Sequence, residues 1–497
     1  MAHALDFAAS TADSAAARSR AADQLEPYEP SAGDPWDFEA AAHLARRVGF
    51  GPSVAEVEHV RELGLQAAVD EMLAFGGQEE PELDAKLRSQ GVLAMSAMAG
   101  NDDEPGDPLR DTWMFRIAYT RYPLREKLVL LWHDHFACAK TKVSRDPLMR
   151  QQNDLFRRLA AGSFRELLGA VARDPAMLVY LDNRLSHKEH PNENWARELL
   201  ELFTLGPDHY SLVDIQQIAR AFTGWTTPQA DMREFLFDPA MHDTGDKQIF
   251  GATVRGRAGD EGVNEGVEVL DLVLAQPSCG EFIAHKMMVW FADNQPDAAV
   301  ARELGRRFVA SDYSIAQTLR TLLCSRYFHA RERRFGMVKN PVEFVLGAAR
   351  ALGMQNAHLF DLGDATARMG QDLYEPPSVA GWELGRGWVQ SSHVIARCNF
   401  ALRISELPHT SRQVAGAAAF DIDALQGGAR DDAALVDTLA RQLLHQPMRS
   451  EPRAKLLAYI ATLRATGTDD KALREQRRNK TRALIHLLLS TPEASLV

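Results

Sequence analysis

Cysteine is scarce in this chain. There are four, Cys138, Cys279, Cys324 and Cys398. They stand far apart and form no C-x-x-C pair, which argues against a zinc knuckle and a disulfide framework. Reduced, mostly buried thiols are the expectation. No apolar run approaches the ~20 residues of a membrane span. Long basic runs are also missing, and the formal net charge is -12. The short groups Arg331, Arg333, Arg334 and Arg474, Arg477, Arg478, Lys480, Arg482 read as solvated helix faces. No nucleic-acid partner is expected. The opening residues, "MAHALDFAASTADSAAARSRAADQ", hold no continuous apolar stretch after a basic start. They do not read as a signal peptide, so a cytoplasmic location is the expectation.

The common catalytic signatures are missing as well. There is no G-x-S-x-G elbow and no H-E-x-x-H helix. No G-x-G-x-x-G follows a strand, and no G-x-x-x-x-G-K occurs. These absences remove the usual serine hydrolase, zincin, dinucleotide-binding and Walker-loop readings.

What is present is ordinary globular composition. Of 497 residues, 45% are hydrophobic and 25% charged, enough for a large core without staples. Residues 1–35, rich in Ala, Ser, Asp and Pro, read as a flexible arm. Residues 36–497 then read as one all-α, multi-helix domain. Apolar residues recur at i, i+3, i+4 spacing over 123–136, 163–172, 195–203, 212–222, 281–291, 341–352 and 432–444. Asp37 is placed to cap a first helix that ends near Gly49. "SVAE" at 53–56 and "SFRE" at 163–166 have the capping-box pattern, and "SLVD" at 211–214 offers a Ser cap. Gly64 and Gly206 are expected helix stops. Regular alternation is limited to residues 233–256, which predict a small β-hairpin-like excursion. Residues 374–392 predict a long ordered loop.

Four stretches could carry chemistry. "PLREKLVLLWHDHFACAK", 123–140, is apolar almost all round and predicts a central helix. Its His133 and His135 point about 200° apart on a continuous helix, so they cannot share one metal ion. His135 reads as a core histidine; His133, near Glu126 and Asp134, is the candidate acid–base. "HPNENWAREL", 190–199, packs Asn192, Glu193, Asn194, Arg197 and Glu198 into one helix start. Asn192 accounts for the cap, and the remaining polar groups exceed what a cap needs. "HDTGDK", 242–247, puts His242, Asp243 and Lys247 in a loop, as ligands, as a base with its partner, or simply as a polar turn. In "PPSVAGWELGRGW", 376–388, Trp382 and Trp388 flank Arg386. Indoles there either stack on a sugar or lock the loop onto the core.

Six segments together resemble a known bacterial family, the "domain of unknown function 1800" family, over roughly residues 38 to 490. They are "HLARRVGFGP" (43–52), "LREKLVLLWHDHF" (124–136), "NENWARELLELFTLG" (192–206), "IARAFTGW" (218–225), "HDTGDKQIFG" (242–251) and "EPPSVAGW" (375–382). The resemblance implies a single mostly helical unit. It also implies frequent export and an alkaline-phosphatase- or sulfatase-like partner. This chain departs from the family in lacking a visible export signal. Trp195 stands where another aromatic, such as Tyr, is common.

Buried charges are costly unless paired. Glu126, Lys127, His133, Arg197 and Glu198 are therefore expected to converge on one polar cavity, roofed by the loops at 242–247 and 376–388. The first functional expectation is a hydrolase-like enzyme. Glu198, Glu193 and His133 would be its catalytic groups. Asn194, Arg197, Lys247, Trp382 and Arg386 would bind an anionic or glycan-like substrate. His242 and Asp243 are candidate ligands for a divalent metal ion. The alternative is a non-catalytic binding or assembly protein in which the same groups form a structural lattice.

Overall fold

Helix starts are written locally in this chain, and most behave as the spacing predicts. A computed structural model describes residues 15–89, 107–229, 231–354, 362–410 and 420–497. The helices that frame the site are, in chain order, α1 (Phe38–Val48), α2 (Pro108–Tyr119), α3 (Pro123–His135), α4 (Asp146–Leu159), α5 (Glu193–Glu201) and α6 (Leu212–Ala221). They continue with α7 (Val263–Leu274), α8 (Pro277–Phe291), α9 (Ala298–Ala310), α10 (Pro341–Ala351), α11 (Ser391–Thr410), α12 (Asp432–Leu444) and α13 (Asp470–Leu489). The Asp37 carboxylate accepts the Ala40 N–H at the start of α1. Ser53 with Glu56, Ser211 with Asp214, and Asn340 with Glu343 form reciprocal capping boxes. Gly64 (φ 77°) and Gly206 (φ 79°) stand in the left-handed region. Ser163 does not cap its helix. Its hydroxyl donates instead to the Asp312 carbonyl at 3.2 Å, a tertiary acceptor that the local pattern could not foresee.

The fold is mostly α-helical. Every residue of α3 from Leu124 to His135 is buried, so this helix is central as expected. It packs on α4, while α8 and α9 pack closely through glycine. A Cβ placed on Gly305 would come within 2.7 Å of the Glu281 backbone. One apolar core runs through the described chain from Ala21 to Ala494.

The β excursion is present as two small antiparallel pairs. β1 (Trp225–Thr226) pairs with β2 (Leu236–Phe237), Trp225 opposite Phe237. β3 (Lys247–Ile249) pairs with β4 (Ala252–Val254), Lys247 opposite Val254. Phe250 (φ 50°) and Gly251 (φ 78°) form the two-residue turn between them, the handedness a tight hairpin needs.

The expected flexible arm is corrected for residues 15–35. Residues 15–35 lie on the body: Ala15–Gln24 is helical, and Ala21 and Leu25 are buried. The Tyr28 N–H donates to the Cys324 carbonyl, and Asp23 pairs with Arg326. Low apolar content hid the few residues that anchor it. Residues 1–14 lie outside the described residues. No described helix is long and apolar enough to cross a membrane.

Candidate functional site

The end of α3 reads the long loop that follows Leu373. His133 is 1% exposed, and its Nε2 accepts the Tyr374 N–H at 3.2 Å. Its ring packs against Trp113, Tyr374 and Trp382. Burial pushes the imidazole down to about 3, so it is neutral at ordinary pH. Asp134, also buried, accepts the Trp382 N–H at 2.8 Å. Burial pushes its carboxyl up to about 6, with Lys286 opposing. Gly381, at φ 80°, sits so close that a Cβ would come within 2.3 Å of Asp134 Oδ1. His135 turns elsewhere, its Nε2 donating to the Phe203 carbonyl at 3.1 Å. The two histidines do diverge.

The other charges of α3 are consumed locally. Glu126 is fully buried; Arg157 grips it through Nε at 2.6 Å and Nη2 at 3.0 Å, and the Trp113 indole donates to it. Burial alone would raise its pKa, but Arg157 holds it below the usual carboxylate value. Lys127 is buried in an ion pair with Glu343, which also accepts the Asn340 N–H at the start of α10.

The start of α5 is mostly a clamp. Asn192 Oδ1 accepts the Asn194 N–H at 2.9 Å. Both side-chain amides donate to the Leu181 carbonyl, at 2.9 Å from Asn192 and 3.3 Å from Asn194. Trp195 is buried against Phe203 and Phe222. Arg197 and Glu193 are open to solvent and 3.7 Å apart. Glu198 is half-buried. Burial, then the neighbouring Glu201, raises its carboxyl above the ordinary value, with Arg197 opposing. Glu201 accepts the Tyr210 hydroxyl at 2.8 Å. The Tyr180 phenol is pushed up to about 12 by burial, with Cys138, Glu375 and Glu198 adding to it. The helix ends at Glu201, and the Phe203 carbonyl just beyond it accepts from His135.

"HDTGDK" is a closed lattice. His242 is buried; its Nδ1 donates to the Thr223 carbonyl at 2.8 Å and its Nε2 lies 3.1 Å from Glu265. Lys247 is fully buried and donates to Glu265 and to the Asp243 carbonyl. Arg220 forks onto Asp243 at 2.8 and 2.9 Å. Burial would raise the Asp243 carboxyl, but Arg220 and the Gly245 N–H hold it low. His242 and Asp243 therefore face different partners. Among the described residues, no group of three or more His, Cys, Asp or Glu is placed to hold a metal ion.

The shared cavity expected for Glu126, Lys127, His133, Arg197 and Glu198 is not formed among the described residues. Four of these groups have nearer partners: Glu126 has Arg157, Lys127 has Glu343, His133 has the Tyr374 N–H and Arg197 has Glu193, while Glu198 stands beside the like-charged Glu201. Trp382 is buried against His133, so it locks its loop, whereas Arg386 is exposed. Sequence reasoning missed Arg157, Arg220, Glu265 and Glu343 as partners. Glu265 stands in an otherwise apolar helix face, and Glu343 completes an Asn-Pro-x-Glu start; both signals were available.

A basin of about 610 Å³ is lined by Ser144 to Leu148 and by Asp231, Met232 and Arg233. Arg145 precedes the first turn of α4, and Gln151 of α4 donates to the Arg233 carbonyl at 2.9 Å.

The fold and this site define a mostly helical protein whose sequence motifs carry separate, mostly buried ion pairs. The chain belongs to the family described as "Protein of unknown function (DUF1800)", whose model matches residues 43–496. No curated protein matches the chain. No solved structure matches it either.

Proposed function

We propose that the chain is a non-catalytic binding or assembly protein whose buried charges are structural. The observation that carries this reading is that the central ionisable groups are already bonded: Glu126 to Arg157, Lys127 to Glu343, Lys247 to Glu265, Asp243 to Arg220. A reacting group must reach its substrate and change protonation near working pH. His133 does neither, being sealed by three aromatic rings. The open basin beside Arg145 and Arg233 is where a polar guest fits. Its volume lies in the usual range of small-ligand sites. Its arginines, Arg145 and Arg233, stand with two aspartates, Asp146 and Asp231, a mixed polar lining that suits an anionic or glycan-like ligand. The alkaline-phosphatase- or sulfatase-like protein implied by family resemblance is the macromolecular partner to try first.

One observation favours a second reading. Glu198 is a half-buried carboxyl raised above its usual value, as a general acid of a hydrolase would be. A screen of phosphate esters, sulfate esters and glycosides separates the two. The binding reading expects no turnover by wild type or by Glu198→Gln. Turnover by wild type that disappears in Glu198→Gln would overturn it. Calorimetric titration with a sulfated oligosaccharide tests the basin, where Arg145→Ala with Arg233→Ala should weaken binding at least tenfold. Unchanged affinity would remove the basin from the account.

A further inference from the structure

Residues 15–35 lie on a basic strip of the body, where acids of the arm meet arginines of the strip. Asp23 pairs with Arg326 at 2.6 Å and Glu26 with Arg307 at 3.2 Å. Asp34 takes both Arg331 at 2.9 Å and Arg334 at 3.0 Å. We propose that this strip is a docking surface for an extended acidic peptide segment of a partner protein, and that the arm occupies it as a displaceable stand-in. The inference rests neither on the basin nor on Glu198.

Charge is the first support. Residues 23–34, "DQLEPYEPSAGD", hold Asp23, Glu26, Glu29 and Asp34 and no cation. Among the described residues, the Arg326 and Arg331 guanidinium groups find acceptors only on the arm. Arg326 uses Asp23, and Arg331 uses Asp34 and the Gly33 carbonyl. Other carboxylates of the body serve other cations: Asp293 and Glu332 serve Arg333, and Asp70 serves Arg320. Arg307 keeps Glu303, which it shares with Arg306. Arg334 keeps Glu39 at 4.0 Å, and Glu39 reaches Arg331 only through space. Lifting the arm therefore removes every ion-paired carboxylate from Arg326 and Arg331.

Backbone recognition is the second support, and it selects a peptide over other polyanions. Pro27 and Ser325 form an antiparallel bridge. The Tyr28 N–H donates to the Cys324 carbonyl at 2.8 Å, and the Arg326 N–H donates to the Glu26 carbonyl at 2.9 Å. A polypeptide adds to an exposed backbone edge in this way. A phosphodiester chain has no backbone amide to offer Cys324. Leu25 is buried, and the Tyr28 ring lies 4.8 Å from His329. The order recognised is acid, apolar, acid, aromatic: Asp23, Leu25, Glu26, Tyr28.

The arm is lightly held. The pairs of Asp23, Glu26 and Arg331 reach solvent, and exposed pairs stabilise weakly. Ala21 and Leu25 are its buried apolar residues. A segment with so few buried contacts opens while the body stays folded.

Hydrogen exchange of the full chain tests the opening. Residues 15–35 should exchange faster than α3, and faster still in high salt. Fluorescence anisotropy with a labelled peptide of residues 20–36 tests the docking. Full-length Leu25→Ser with Tyr28→Ser has a loosened arm and an intact strip. It should bind the peptide about tenfold tighter than wild type, because the closed arm competes for the same strip. Adding Arg326→Ala and Arg331→Ala should abolish that difference, and so should replacing the peptide's acids by their amides. Equal affinity of wild type and the loosened variant would overturn the proposal, as would binding to neither. Binding that survives loss of both arginines would do the same. So would an arm as protected from exchange as α3, a readout that needs no variant. Displacement of the peptide by single-stranded DNA as readily as by unlabelled peptide would assign the strip to nucleic acid instead.

Discussion

At the scale of single residues, the buried ion pairs matter through what their loss exposes. Arg157 neutralises Glu126, which has no exposed surface. Arg157→Leu leaves that carboxylate charged and without its partner, and should cost about 3–5 kcal/mol by urea unfolding. Adding Glu126→Gln removes the charge while keeping an acceptor for the Trp113 indole. The double variant should recover part of the loss. A double variant no more stable than Arg157→Leu alone would show that the buried charge was not the source of the cost. Glu265 serves two partners, His242 and Lys247, so Glu265→Ala should destabilise by a similar amount. Native-state hydrogen exchange should then show the loss concentrated at 242–254.

At the scale of elements, the loop from Tyr374 to Trp382 is fastened to α3 by backbone N–H groups. Asp134 is its anchor, and ionising it costs stability. The folded-state pKa, about 6, lies above the ordinary value of 3.8. A carboxyl with a raised folded pKa contributes its full stability below the unfolded value and loses it as pH rises through the folded one. The difference is about 3 kcal/mol at neutral pH, from ~2 pH units at 1.36 kcal/mol each. Asp134→Asn keeps the acceptor for Trp382 and cannot ionise. Its stability relative to wild type should therefore improve between pH 4 and pH 7, and a pH-independent difference would contradict the assignment. Gly381→Ala acts on the same fastening, through the clash with Asp134 and its left-handed backbone. Faster hydrogen exchange over 374–390 is the expected readout.

At the scale of the whole molecule, buried neutral histidines set the acid limit. His133 and His445 are pushed to about 3, His285 and His329 to about 4, and His43 and His135 well below the usual value, in each case chiefly by burial. A depressed folded pKa contributes stability above the unfolded value, 6.5, which is lost as pH falls toward the folded value. Each histidine contributes a slope of up to about 1.4 kcal/mol per pH unit. Asp134 and Asp174, raised by burial to about 6 and about 7, act in the opposite direction but are fewer. The urea midpoint should fall steeply from pH 6.5 to pH 4.5, with several protons taken up on unfolding. A flat midpoint over that range would contradict the burial of these rings.

Local rules wrote most of the helix caps, the centrality of α3 and the divergence of His133 from His135, because each depends on neighbours a few residues away. The same short range makes the six family segments readable in the chain. Tertiary structure alone decided which partner each charge received. Glu126 meets Arg157, Lys127 meets Glu343 and Lys247 meets Glu265 across 31, 216 and 18 residues of sequence. A carboxylate carries no mark of which distant cation will reach it. That depends on how whole helices pack, and it turned an expected common cavity into separate, satisfied pairs.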